Sequence, residues 1–443
     1  MKSKHENGQK NGDFDELARF GISVFLTTIA RFVLRIAKNV IISRVIGPSG
    51  RGILGLVTLV PDTLINLGHL GLGQADLFYL GKRKYPLEKV VGTNMVMAFL
   101  VGIALAGIGF IVFNTPYFYK QDFNLINSFS VIIIALIPVL LFSHYMEFIL
   151  FAIKDIHFIN ISDILRSLLP IIFFVVIYLV FHEGIKAAVY SWILSSAIIC
   201  MLFSVRLFRY VGRRPKFSLP YVKRGTLFGL KAYLGDLLNF LLLRIDYFFV
   251  SAFLGTRELG YYIISVSIAE LIQSMPDAIV IPAIPIILGR KNEDSQGFTP
   301  TVIRCIVAIV VVGCILVGVF GKIIISVLFG HKFLPAYLPL LFLLPGMIAR
   351  SIYPILKTEI IGENRPIVVS ILSGTALVCN ILLNYYLLPK MGVTGAALSS
   401  SIAYWLATIL ALRIYIKSSA NSVREVMLVR KKDITGIYRY LIS

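Results

Sequence analysis

Arg31, Arg35 and Lys38 recur at i, i+4 and i+7 inside an apolar stretch. At about 100° per residue they fall within roughly 60° of one another, a cationic stripe on one helix face. Asp62, Asn66 and His69 repeat that spacing, and Glu270, Gln273, Ser274 and Asp277 share a third face. The run LLLRIDYFFVSAFLG at 241–255 adds Arg244 and Asp246. Two residues apart, these point about 200° away from each other and must find partners elsewhere. Fixed positive charge in a low-dielectric site attracts an anion far more strongly than it would in water. Arginine also offers a bidentate fork that matches phosphate. Arg31, Arg35, Lys38 and Arg244 are therefore the candidate contacts for a phosphate- or pyrophosphate-bearing substrate. Asp62, His69, Asp246, Glu270 and Asp277 are the candidates for lining a cavity or carrying a coupling proton or sodium ion.

These stripes gain meaning from the elements that hold them. Of 443 residues, 57% are hydrophobic and only 15% charged, with a mean hydropathy of +0.84. A transmembrane helix needs roughly 20 mostly apolar residues. Such stretches fall near 20–46, 53–80, 90–113, 126–151, 162–181, 186–206, 226–252, 259–288, 301–328, 335–357, 366–388 and 393–416. They are too long, and lack the alternation, for barrel strands. The expectation is an all-α polytopic membrane protein of about twelve transmembrane helices. An ionisable group at bilayer depth costs on the order of 2.5–3.5 kcal/mol on insertion scales, so the stripes must face each other, partner helices or a hydrated cavity.

The net charge of +20 does not point to nucleic acid, because of where it lies. RLFRYVGRRPKFSLPYVKR at 206–224 carries seven basic residues and no acidic one, and GKRKYPLEK at 81–89 carries a net +3. The connections 114–124, 182–186 and 254–259 each sum to zero. Basic excess in alternate short loops marks the cytoplasmic side, which places both termini in the cytoplasm. The four cysteines all sit in apolar spans without metal or redox spacing and read as packing residues. No Walker motif, HExxH or GxSxG occurs, so no cofactor and no enzymatic chemistry is expected.

The basic connection lies mid-chain and invites a test for duplication. LRIAKNVIISRVIGPSGRGILG from Leu34 and LRIDYFFVSAFLGTRELGYYI from Leu243 both lead from Leu-Arg-Ile to a Gly-x4-Gly turn, Gly47/Gly52 and Gly255/Gly260. An even number of spans between the copies keeps them parallel. The expected organisation is a tail at 1–16, a six-helix bundle at 17–206, a basic linker at 207–225, a second six-helix bundle at 226–417 and a tail at 418–443.

SRVIGPSGRGILGL (43–56), LGLGQADLFYLGKRKYP (70–86), RIDYFFVSAFLGTRELGYYIISVSIAEL (244–271) and NILLNYYLLPKMGVTGAALSSSIAYW (380–405) together resemble bacterial polysaccharide flippases of the Wzx-like type. These belong to the multidrug/oligosaccharidyl-lipid/polysaccharide (MOP) exporter superfamily. The resemblance covers almost the whole chain. It implies two MATE-like, pseudo-symmetric bundles, alternating access, and movement of undecaprenyl-pyrophosphate-linked oligosaccharide across the bacterial cytoplasmic membrane for surface polysaccharide biosynthesis. It also implies that Arg31, Arg35 and Arg244 contact the anionic head; Lys38 is added from the stripe alone. Implied partners are the lipid-linked oligosaccharide, membrane lipids and polymerase or glycosyltransferase machinery. Lipid II flippases of the superfamily carry two further C-terminal helices for which this sequence offers no spans, so a peptidoglycan role is not expected. The alternatives are a cation-coupled exporter of small molecules, disfavoured by the cationic stripe, and a membrane polymerase or ligase, disfavoured by the short neutral loops.

Orientation is directly testable. A reporter fused after Arg214 should register as cytoplasmic; an extracytoplasmic signal contradicts the charge argument.

Overall fold

The computed structural model describes the backbone of residues 2–115, 123–212, 215–289, 292–419 and 422–427. It describes the side chains of 30, 32–115, 126–212, 215–274, 276, 298–419 and 422–426. All of the named elements are helical: α1 (Lys2–Gly68), α2 (Leu72–Gly81), α3 (Leu87–Phe113), α4 (Phe123–Ala152), α5 (Ile156–Phe181), α6 (Gly184–Val211), α7 (Leu219–Leu254), α8 (Thr256–Gly289), α9 (Asn292–Phe329), α10 (Tyr337–Gly362), α11 (Pro366–Met391), α12 (Val393–Ser419) and the short α13 (Val423–Met427). Ten helices among the described residues are long and apolar enough to cross a membrane. The chain is a multi-pass membrane protein.

Helix α1 contains two of the expected spans, divided by a kink at Gly47 with φ 69° and ψ −176°. Gly255, its counterpart in the second half, has φ 89° and ψ −179° and separates α7 from α8. Both sit in backbone conformations that only glycine adopts without strain. The expected span at 53–80 is broken: α1 ends at Gly68, Leu70 and Gly71 take positive φ, and the ten-residue α2 follows. Continuous hydropathy hid that turn.

Outward faces are apolar rows. On α9, Val312, Leu316, Val319, Ile323 and Val327 follow one another at three- and four-residue steps and are all exposed, a stripe suited to lipid. Inward faces carry small residues and satisfied polar groups, as expected where helices pack without water between them.

The two halves meet at the end of the membrane opposite the basic 206–224 linker. There α1, just after its kink, crosses the start of α8. A Cβ placed on Gly52 would collide with the carbonyl oxygen of Thr256, and one on Gly260 would collide with that of Pro48. Pro48 and Thr256 each follow the kink glycine of their own copy, so the contact is reciprocal, as a two-fold interface requires. Arg44 adds a tie, donating from Nε to the carbonyl of Leu328 (2.8 Å) and from a terminal nitrogen to that of Val327, at the C-terminal end of α9. This end is shut.

At the linker end α7 leans on the first half. The Lys216 amide donates to Glu88 O (3.0 Å) and the Ser218 amide to Thr93 Oγ1 (3.0 Å). Buried Asp76 accepts from Asn94 (2.6 Å) and from the Tyr221 hydroxyl. Helix α7 thus touches the first bundle with its opening turns and packs against α11 further along.

Gly52→Ala and Gly260→Ala should each destabilise the protein by about 1–3 kcal/mol through overpacking. Gly107→Ala, in α3 with no atom near its Cβ position, should not. Thermal unfolding in detergent reads the difference; equal melting of all three variants contradicts the crossing.

Candidate functional site: an intramembrane charge belt beside a cavity

The kinks set the depth of the charges. Asp62 and Glu270 each lie fifteen residues beyond their kink glycine, Gly47 and Gly255. At 1.5 Å rise per residue that is roughly 22 Å from the shut end. Arg35 and Arg244 occupy the equivalent Leu-Arg-Ile positions on the preceding arms, so each half carries one arginine and one carboxylate at comparable depth.

The second half satisfies its pair. Arg244 lies 3.3 Å from Glu270 and donates to the Tyr247 hydroxyl (3.1 Å), with its guanidinium 5.4 Å from that ring. Arg350 of α10 reaches the same Glu270 oxygen at 3.8 Å. Asp246 points the other way, as the helical offset requires. It is 1% exposed and accepts from Tyr262 (2.8 Å), Asn384 (2.8 Å) and Ser400, which joins α7, α8, α11 and α12 in one polar knot.

The first half does not. Arg35 is exposed and makes no hydrogen bond or ion pair among the described residues. Asp62 turns instead into a cavity of about 340 Å³ inside the first bundle, where it sits with Lys38 and Arg166. The positive fields of Arg244, Arg166 and Lys38 all act on it. Lys38 likewise has no carboxylate within 4 Å among the described residues. Unpaired positive charge is thus concentrated on α1, whereas Arg166, Arg206, Arg244 and Lys357 each have an acid.

Two expected site residues, Arg31 and Asp277, have side chains outside the described residues. His69 is 1% exposed and does not line the cavity; its Nδ1 accepts from the Gly71 amide (3.1 Å), holding the turn between α1 and α2. Its ring packs on Tyr233 of α7 at 3.9 Å. The structure therefore brings Lys38, Asp62 and, across the bundle interface, Arg244 and Glu270 into one region, and assigns Asp246 and His69 packing contacts.

Sequence reasoning passed over Arg166. Its guanidinium forms a forked pair with Glu147 (2.9 and 3.3 Å), with Asp163 at 3.9 Å. Helix α5 starts at Ile156, six residues before the expected span, so Arg166 lies a full turn deeper than hydropathy placed it. The i, i+3 pairing of Asp163 with Arg166 was the available signal.

The known proteins that match this chain agree with the geometry. It belongs to the polysaccharide biosynthesis protein family, whose model matches residues 41–338. No protein of curated function matches it by sequence. Among solved structures, an inward-facing multidrug resistance MATE family transporter of the MOP superfamily has a TM-score of 0.73 at 16% identity, covering 89% of this chain and 98% of that one. The lipid II flippase MurJ in its inward closed conformation has a TM-score of 0.67 at 14% identity, covering 96% of each chain. A MOP superfamily transporter from Pyrococcus furiosus, described as having a binding pocket of reverse polarity, has a TM-score of 0.66 at 15% identity, covering 91% and 96%. The fold is that of the MOP superfamily transporters.

Removing the acceptor of the C-terminal knot takes one hydrogen bond each from Tyr262, Asn384 and Ser400, leaving Asn384 its contacts with Asn380 and the two hydroxyls, as donors, only each other at 3.3 Å; a buried group left unsatisfied costs about 1–3 kcal/mol. Asp246→Ala should therefore lower the melting temperature clearly in detergent, and Arg35→Gln should leave it unchanged. The reverse order contradicts these assignments.

Proposed function

We propose that this protein is a flippase that moves undecaprenyl-pyrophosphate-linked oligosaccharide across the bacterial cytoplasmic membrane for surface polysaccharide assembly. The observation that carries the reading is the broken symmetry of the charges. Equivalent arginines, Arg35 and Arg244, stand at matching depth, yet among the described residues only Arg244 has its carboxylate. Among the described residues Arg35 leaves positive charge uncompensated at bilayer depth, while the cavity-lining Lys38, opposed across the cavity by Asp62, has no carboxylate within 4 Å. A charge left there is costly unless a ligand or water meets it, and a pyrophosphate head supplies the missing anion.

Membership in the polysaccharide biosynthesis family and the two-bundle transporter fold support the same assignment. The lipid tail stays in the bilayer while the head moves between bundles by alternating access, with the α1–α8 crossing opening as the linker end closes. The basic linker orients both termini to the cytoplasm. Of the described acids considered for a coupling proton or sodium ion, Asp62 is the one that lines the cavity, and the oxygens of Asp246 are engaged by three donors. The released substrate passes to polymerase or glycosyltransferase machinery.

A hydrogen bond between charged partners contributes about 1.5–3 kcal/mol, and each 1.4 kcal/mol is tenfold in binding. The variant carrying Arg35→Gln with Lys38→Gln should accumulate normally in the membrane and cut surface polysaccharide at least tenfold. Wild-type polysaccharide output from that variant would remove the cationic site from the mechanism.

A further inference from the structure

The cavity inside the first bundle has a different character from Arg35 of α1, which is unpaired among the described residues. Its charged walls are balanced: Lys38 and Arg166 face Asp62 and Glu147. A site for phosphate alone would carry excess positive charge, and a site for a bare cation would carry excess negative charge. A mixed set of rigid donors and acceptors suits a neutral polyhydroxylated ligand, in which every hydroxyl both donates and accepts.

Other observations point to the same ligand. His144 faces the cavity, and its Nε2 is buried without a hydrogen-bond partner, an atom that a ligand hydroxyl would satisfy. The hydroxyl of Ser196, in the same wall, makes no hydrogen bond among the described residues. Trp192 lines the cavity with neither a ring neighbour nor a hydrogen bond among the described residues. A half-buried indole offers a flat apolar face for the C–H face of a sugar ring, with a polar N–H at its edge. The volume of about 340 Å³ lies at the lower end of the roughly 300–1,000 Å³ typical of small-molecule pockets, room for a monosaccharide or disaccharide.

The geometry points to the first-bundle cavity as a carbohydrate subsite: Trp192 stacks on a pyranose ring while Asp62, His144, Glu147 and Arg166 hydrogen-bond its hydroxyls. The inference rests on the flippase reading for how the sugar arrives, tethered to a head held by Arg35 next door. The choice of sugar would then be made inside one bundle, and the anion would be recognised between bundles. Arg166, already forked onto Glu147, would orient that carboxylate toward vicinal hydroxyls.

The chain contains only two tryptophans. Trp405, the other one, lies between α10 and α12 and donates to Pro345 O (3.0 Å). In the full-length Trp405→Phe protein in nanodiscs, Trp192 is therefore the sole indole reporter. We would titrate it with methyl glycosides of a neutral hexose, an N-acetylhexosamine and a hexuronic acid, and separately with inorganic pyrophosphate. At least one glycoside should change the Trp192 emission saturably, and pyrophosphate should not. Replacing the ion pair as a unit, Glu147→Gln with Arg166→Gln, should weaken that response at least tenfold. Ser196→Ala, which removes only the hydroxyl, tests the same wall should the double variant fail to fold.

No saturable response to any glycoside, or a response to pyrophosphate alone, overturns the subsite. Translocation of lipid-linked oligosaccharide in proteoliposomes separates the two readings. Transport by wild type that persists undiminished in the Glu147/Arg166 variant defeats the subsite and leaves the flippase standing. Glycoside binding by a wild type that transports no lipid-linked oligosaccharide defeats the flippase and leaves the subsite.

Discussion

A charge inside the bilayer needs a partner, and the rest of this structure follows from which charges have one. In the second half, Arg244 and Arg350 close on Glu270, and Asp246 is held by Tyr262, Asn384 and Ser400. Among the described residues, those charges of the second half are paired within it. In the first half, the same helical plan leaves Arg35 and Lys38 on α1 without a carboxylate and turns Asp62 into a cavity. The two halves thus differ at matching positions in which charges are paired.

Access to that charge is governed largely by close packing. The reciprocal approach of Gly52 to Thr256 and of Gly260 to Pro48 seals one end of the molecule, with Arg44 adding a side-chain tie to α9. Small residues allow such closeness, and without a hydrophobic driving force between helices in lipid the contact rests on packing. Parting it breaks the Arg44 tie at the chain surface, whereas opening the Asp246 knot would strand a buried carboxylate. The molecule therefore separates elements that must hold from elements free to open.

Much of this was legible in the sequence. The Gly-x4-Gly repeat marked both turns, at Gly47 and Gly255, where positive φ with extended ψ suits only glycine, but it did not show that the two copies cross. The opposed directions of Arg244 and Asp246 followed from helix geometry. Hydropathy failed where the chain turns without becoming polar: Leu70 and Gly71 break the second span with no change in composition. It failed again where it started a span too late, which hid Arg166 and with it the charged wall of the cavity. No single-sequence signal showed that Asp246 faces its own bundle. The asparagines of the motif at 380–384 held that information, since Asn384 donates directly to Asp246, but spacing alone does not say which acid an asparagine meets.

The central claim is that uncompensated cations on α1 recognise the anionic head. It is tested most directly by equilibrium binding of a polyprenyl pyrophosphate and of the corresponding polyprenol to the purified protein in nanodiscs, across a range of salt. The account predicts that the pyrophosphate binds at least tenfold more tightly at low salt and that this advantage shrinks as salt rises. Equal, salt-independent binding of the two lipids would contradict it.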